Sequence, residues 1–287
     1  MVMSLPLDSQ VEAAAAADLV LTLGAFRQFE TLKTVSLQRG KPLTIQIKLD
    51  TGLHRIGFLP RELEAAAEKM KEYAPYLHCI GVFSHFADTV KEHMDAQLAL
   101  FLRMIGELNA RGIETGLRHI SSSASLEADP KYNLDAVRVG RRLYMDSPTD
   151  PDGRIRECAS FRAFLTDVRE RKAGESLSYG GAFHLPKDSR VGVLSIGYGD
   201  GLPPELARIG APVLVNGQTA HLLADCMDQS FVDVTGIDCS PGDEVTIFGD
   251  DGRGNLLSSQ YVAGLIGGNE GCGLTDALNP RVERIYR

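Results

Sequence analysis

The sequence predicts an α/β protein: an incomplete (β/α)8 barrel of the TIM type over residues 1–155, followed by a mainly β domain over residues 156–287. Three observations predict it. Short apolar runs alternate with segments of helical periodicity through the first half, which is the pattern of parallel strands joined by crossover helices. Polar and charged residues gather where those runs end, as they do at the C-terminal mouth of a barrel. Beyond "MDSPTDPDGRIR" the texture changes to short strands punctuated by Gly, Pro, Asn and Asp.

In chain order, the strand candidates of the first domain are "MVMSL", "LVLTLG", "LTIQIKL", "CIGVFS", "LRHIS" and "AVRVG". Between them, "VEAAAAADLV", "RELEAAAEKMKEYA" and "HMDAQLALFLRMIGELNARG" carry apolar residues at helical spacing. These make six β-α strands where a closed barrel needs eight, and the chain opens directly on a strand, so the first two units are expected to be missing. From Arg156 onward the strands are "SFRAFLTDVRERK", "RVGVLSIGY", "APVLVNGQ", "SFVDVTG" and "EVTIFG", with one helix near "LSSQYVAGLIGG". The Pro- and Asp-rich segment before Arg156 is the natural boundary.

The 287 residues, 44% hydrophobic and 24% charged, suffice for one large core or two ordinary ones. A net charge of −8 gives a phosphate backbone no electrostatic support, which argues against nucleic acid. No apolar run approaches the roughly 18 residues of a membrane span, and the N-terminus lacks the features of a signal peptide, so a cytoplasmic protein is expected. Five scattered cysteines without C-x-x-C spacing indicate neither a disulfide framework nor a metal site, and most read as buried thiols.

Chemistry-bearing residues cluster at the predicted strand ends. "KLDTGLHRIG" supplies Lys48, Asp50 and Arg55; "SHFAD" supplies His85 and Asp88; "RHISSSAS" supplies His119, Ser122 and Ser123; "VRVG" supplies Arg138 and Gly140. Any one of these suits a salt bridge or a helix cap, but four successive strand ends favour a site. A Ser and then a Gly near helix N-termini offer donors to a phosphate. Arg138, inside a strand, needs an acceptor to balance its buried charge. "GYGDG" at 197–201 runs into prolines instead of a Gly-spaced helix, which argues against a dinucleotide loop.

Together "KLDTGLHRIG", "SHFAD", "RHISSSAS", "VRVGRRLY", "GESLSYGG", "IGYGDGLP" and "DCMDQSFVDV" resemble, in order and spacing, the pyridoxal-phosphate-dependent alanine racemases, over essentially the whole chain. The resemblance implies a homodimer with shared active sites, pyridoxal 5'-phosphate as cofactor and a small amino acid as substrate. The reaction it implies is interconversion of L- and D-alanine by two-base proton exchange, feeding peptidoglycan synthesis. A serine racemase is a close variant; a racemase-derived inactive fragment, binding or dimerisation module is the alternative from another class.

By the same resemblance Arg138 faces the pyridine nitrogen, and Ser123, Gly140 and the backbone of Arg141 contact the phosphate, with His119 in the same cofactor site. Tyr179 resembles the catalytic tyrosine contributed by the partner subunit, and His85 the histidine hydrogen-bonded to it. A phenol titrating near about 10 is a poor base at neutral pH, so cationic neighbours must favour its phenolate. Arg55 resembles the residue steadying the substrate carboxylate and the cofactor's phenolic oxygen; Lys48 matches a position carbamylated in some members. Met227, through its backbone N–H, and Asp228 match substrate contacts.

The sequence departs from the family in four places. No segment reads like V-K-A-N-A-Y-G-H-G, whose lysine forms the Schiff base and acts as second base, and none of Lys33, Lys41 and Lys48 stands in that context. Gly271 or Cys272 occupies the place of a phosphate-contacting tyrosine, Asp225 that of an arginine, and Pro203–Pro204 that of a Pro-Arg pair.

Overall fold

The computed structural model describes residues 1–143, 156–267 and 272–286. The chain divides into two compact units, Met1–Gly140 and Arg141–Arg287. The boundary segment expected before Arg156 falls largely among residues 144–155, outside the described ones.

The first unit runs α1 (Asp8–Ala16), β1 (Leu21–Leu23), α2 (Gln28–Arg39), β2 (Leu43–Lys48), α3 (Leu63–Glu72), β3 (Leu77–Phe83), α4 (Lys91–Ala110), β4 (Leu117–His119) and the short α5 (Ser123–Leu126). Its strands form one parallel sheet in the order β1-β2-β3-β4. Alternation in β2 decides what each face carries. Ile45 and Ile47 join Ala66, Ala67 and Met70 of α3 and the α4 stripe Phe101, Met104, Ile105 and Leu108 in one core. That stripe has the i, i+3, i+4, i+7 spacing of a helix that buries one face. The intervening residues of β2, Thr44, Gln46 and Lys48, therefore face the other side of the sheet.

Two expected strands are absent from the described residues. "MVMSL" is irregular: Val2 donates its N–H to Val20 O at 2.8 Å, and Pro6, which has no N–H, soon ends any ladder. "AVRVG" contributes only an isolated bridge between Ser122 and Arg138. The approach to it bends at Leu134, whose φ of 48° is left-handed, and the Asp135 N–H donates to Arg118 O at 3.1 Å.

The second unit comprises β5 (Phe161–Arg171), β6 (Ser176–Leu177), β7 (Phe183–His184), β8 (Ser189–Leu194), α6 (Pro204–Arg208), β9 (Pro212–Val215), β10 (Gln218–Asp225), β11 (Ser230–Asp233), β12 (Glu244–Asp250), β13 (Leu256–Leu257), α7 (Ser259–Leu265) and α8 (Cys272–Asp276). Its main sheet runs β13-β12-β5-β8-β11-β10-β9, and β12 also pairs with β9, so the antiparallel strands close on themselves. The mainly β character matches the expectation, with α6 and α8 as short helices beyond the one expected. "APVLVNGQ" ends β9 in a two-residue turn, Asn216 at φ 50° and Gly217 at φ 81°, the left-handed geometry that suits a tight hairpin. No helix among the described residues is long and apolar enough to cross a membrane. Of the described cysteines only Cys239 is buried; Cys79 and Cys226 are intermediate and Cys158 is exposed, which corrects the reading of most as core thiols.

Candidate active site

In the first unit, the C-terminal ends of β3 and β4 bring His85 and His119 to a single guanidinium, with the end of β2 beside them. Arg138 donates from Nη1 to His119 Nδ1 at 2.5 Å and from Nη2 to His85 Nδ1 at 3.2 Å. Nη2 also donates to the carbonyls of Ser84 at 2.8 Å and Ile120 at 3.0 Å. Its guanidinium lies over the Phe83 ring at 5.5 Å. Burial and repulsion from Arg55 pull Arg138 down to about 10, which leaves it charged at neutral pH. Its Nε is buried and has no hydrogen-bond partner among the described residues.

Both histidines are held neutral. His85 and His119 are each lowered to about 4, first by burial and then by the Arg138 charge. A guanidinium only donates, so the ring nitrogens facing it must accept. His119 donates its one ring N–H, on Nε2, to Gln46 Oε1 at 2.6 Å and stacks on Phe83 with ring centroids 5.1 Å apart.

Lys48 lies beside this group, 2% exposed, donating to Leu49 O at 2.7 Å. Burial, repulsion from Arg138 and repulsion from Arg55 bring it down to about 8, against the opposing pull of Asp50. Still protonated at neutral pH, its ammonium is repelled by Arg55. The loop carrying Arg55 is shaped by Asp50, whose Oδ1 accepts the N–H groups of Gly52 and His54, each at 3.0 Å. Ser123 Oγ accepts the Gly140 N–H at 3.0 Å, which leaves the hydroxyl proton for another acceptor. A side chain at Gly140 would meet nothing within 4 Å.

In the second unit, Tyr179 is 64% exposed and Met227 55%. Their loops are joined: Ser178 Oγ donates to Asp225 O and lies 3.4 Å from Cys226 Sγ. The Met227 turn is braced by the "GYGDG" segment. Tyr198 N–H donates to Cys226 O at 3.1 Å and Gly199 N–H to Met227 O at 2.7 Å, while the Met227 N–H has no bonded partner among the described residues. A Cβ at Gly197 would lie 2.2 Å from Cys226 O, so only glycine admits this approach. Asp200 accepts the Gly197 N–H at 2.9 Å and Arg281 Nε at 2.7 Å.

The family model of the alanine racemase N-terminal domain matches residues 1–148, and that of the C-terminal domain matches residues 158–286. The chain belongs to the alanine racemase family. The alanine racemase of Methanococcus maripaludis is 30% identical over 278 residues, 94% of this chain and 74% of that protein. The structure of the alanine racemase from Streptomyces coelicolor A3(2) matches with a TM-score of 0.89 at 29% identity, covering 96% of this chain and 74% of that one. The alanine racemase from Bartonella henselae, described with covalently bound pyridoxal phosphate, matches with a TM-score of 0.81, covering 97% of this chain and 76% of that one; at 23% identity it speaks for the fold alone.

The sequence-derived residues fall into two groups. Lys48, Arg55, His85, His119, Ser123, Arg138 and Gly140 belong to the first unit; Arg141, Tyr179, Met227 and Asp228 belong to the second. Gly271 lies outside the described residues. Lys33 sits against the rings of Tyr73 and Tyr76, and Lys41 is bonded to Asp18, so neither joins the cluster. The donor set of the first unit fits pyridoxal phosphate: a permanent cation with an orphaned buried N–H, a serine hydroxyl with a proton to give, and open space at Gly140. Sequence reading missed Gln46 and Ser84, which complete the Arg138 environment. Gln46 left a trace, as the polar middle member of the alternating "TIQIK".

Proposed function

We propose that this alanine racemase family chain seats pyridoxal 5'-phosphate against the Arg138 cluster and serves the interconversion of L- and D-alanine. The observation that carries the reading is the guanidinium of Arg138, which donates to two neutral imidazoles while its buried Nε–H has no hydrogen-bond partner among the described residues. Ser123, Gly140 and the backbone of Arg141 would take the phosphate, with His119 behind Arg138. Pyridoxal phosphate, when bound, supplies the electron sink that acidifies the α-proton of an amino acid.

The chain's own groups set how strong that sink is. Arg138 cannot hand a proton to a ring nitrogen, so it keeps the sink weak and favours clean proton exchange over side reactions. His85 and His119, being neutral, add no competing charge. Arg55 and the Met227 N–H would hold the substrate carboxylate, with Asp228 beside the turn. The phenol oxygen of Tyr179 would hold and move the proton at the substrate Cα. We assign Tyr179 and Met227 to the partner's site in a homodimer, with the first unit as part of a (β/α)8 barrel. The second base belongs to none of the lysines discussed above.

Incubation of the chain with pyridoxal phosphate and alanine in heavy water tests this. The α-position is expected to gain deuterium, and Tyr179→Phe to slow the exchange by about 100-fold or more while retaining cofactor. Unchanged exchange in Tyr179→Phe would remove that residue from the mechanism. Cofactor binding without exchange in the unaltered chain would favour the binding-module reading, and faster exchange on serine would change the substrate.

A further inference from the structure

We propose that Gln46 is a positioning residue: by fixing the tautomer of His119, it aims the guanidinium of Arg138. The argument is one of donors and acceptors. The Nδ1 of His119 lies 2.5 Å from Arg138 Nη1, and a guanidinium has only protons to offer, so Nδ1 must present a lone pair. The single proton of the neutral ring then sits on Nε2, and it needs an acceptor. Gln46 Oε1, 2.6 Å away, is that acceptor. The opposite tautomer would set two N–H groups against each other at Arg138 and, with the carboxamide oxygen facing the ring as it does, two lone pairs against each other at Gln46, so the guanidinium dictates the state of the ring and the carboxamide oxygen holds it there.

The fold prepares this arrangement. Gln46 is 7% exposed and His119 5%. They reach each other across β3, which lies between β2 and β4. The space is left by Gly81 of β3, where an added Cβ would stand 3.1 Å from the Gln46 carboxamide carbon and nitrogen and 2.8 Å from Leu117 O. Phe83, two residues on, stacks on the imidazole with an interplanar angle of 3° and fixes its plane. A buried glutamine in a strand is costly unless it is bonded, and here its bond runs to one of the two rings that brace Arg138. That this alignment serves a bound pyridine ring rests on the function proposed above; the tautomer does not.

Nitrogen-15 NMR of the histidine rings in the full chain, with His119→Gln to assign the signals, tests the proposal. His119 in the unaltered chain should be the Nε2–H tautomer, with a slowly exchanging downfield proton and no protonation above pH 5. Gln46→Met, which removes the acceptor, should lose that downfield proton. Gln46→Glu, isosteric but anionic, should raise the His119 midpoint by at least about one pH unit, move the Arg138 side-chain signals with it, and weaken pyridoxal phosphate binding about tenfold. If Gln46→Met keeps the downfield His119 proton, or if Gln46→Glu leaves the His119 midpoint and the cofactor affinity unchanged, with or without a lower melting temperature, Gln46 is only a packing residue and the proposal fails. The imidazole spectra decide this alone; failure of the unaltered chain to bind pyridoxal phosphate would count against the function and not against the role of Gln46.

Discussion

Gly199 N–H donates to Met227 O at 2.7 Å, and the contact makes the "GYGDG" segment a brace for the turn that presents the Met227 amide. The motif is thus about backbone approach rather than phosphate binding. Gly197→Ala would force a Cβ against Cys226 O, at 2.2 Å in the present geometry. The expected cost is about 1–3 kcal/mol of stability, with weaker substrate binding. A thermal melt checks it, and an unchanged midpoint would show that the turn is not held in this way.

Asp200 links the same brace to the C-terminal tail through Arg281. Its side chain is 11% exposed and also accepts the Gly197 N–H at 2.9 Å. Asp200→Ala removes both bonds and is expected to cost about 1.5–3 kcal/mol. Denaturant unfolding would show this as a lower midpoint with an unchanged slope.

The two histidines facing Arg138 make stability depend on pH. Their folded pKa values of about 4 lie below the ordinary histidine value, so the folded state resists protonation. The stability this gives is complete above about 6.5, where both states are neutral, and is lost as pH falls from there towards the folded value. Unfolding midpoints should therefore drop between pH 7 and pH 4.5, and His85→Asn should flatten part of the fall. A flat profile would mean that the imidazoles are not held neutral.

Gly106 lies inside α4, in its C-terminal third, exposed, with nothing within 4 Å of an added Cβ. Gly106→Ala should stabilise the first unit by about 0.5–1 kcal/mol through helix propensity alone. A raised melting temperature is the expected readout.

Much of this was legible in the sequence for physical reasons. The α4 stripe at 101, 104, 105 and 108 and the alternation of β2 are periodic signals that packing reinforces. The strand-end motifs pointed to Arg138, His85, His119 and Ser123 because chemistry at the end of a parallel strand reads directly along the chain. Other features were not visible. "AVRVG" has strand composition, yet the left-handed Leu134 precedes it and only the bridge at Arg138 forms. β10 was overlooked although Asn216-Gly217 announces a hairpin that needs a returning strand. Gln46 gave up its role only when β4 was paired beside β3, because the bond to His119 spans 73 positions.

The central claim is that the guanidinium of residue 138 is part of the seat for pyridoxal phosphate. Titration of the purified chain with pyridoxal phosphate, followed by absorbance, tests it most directly when the unaltered protein is compared with Arg138→Met. The account predicts saturable binding that weakens by about tenfold or more in the variant. Equal affinity in the two proteins would contradict it.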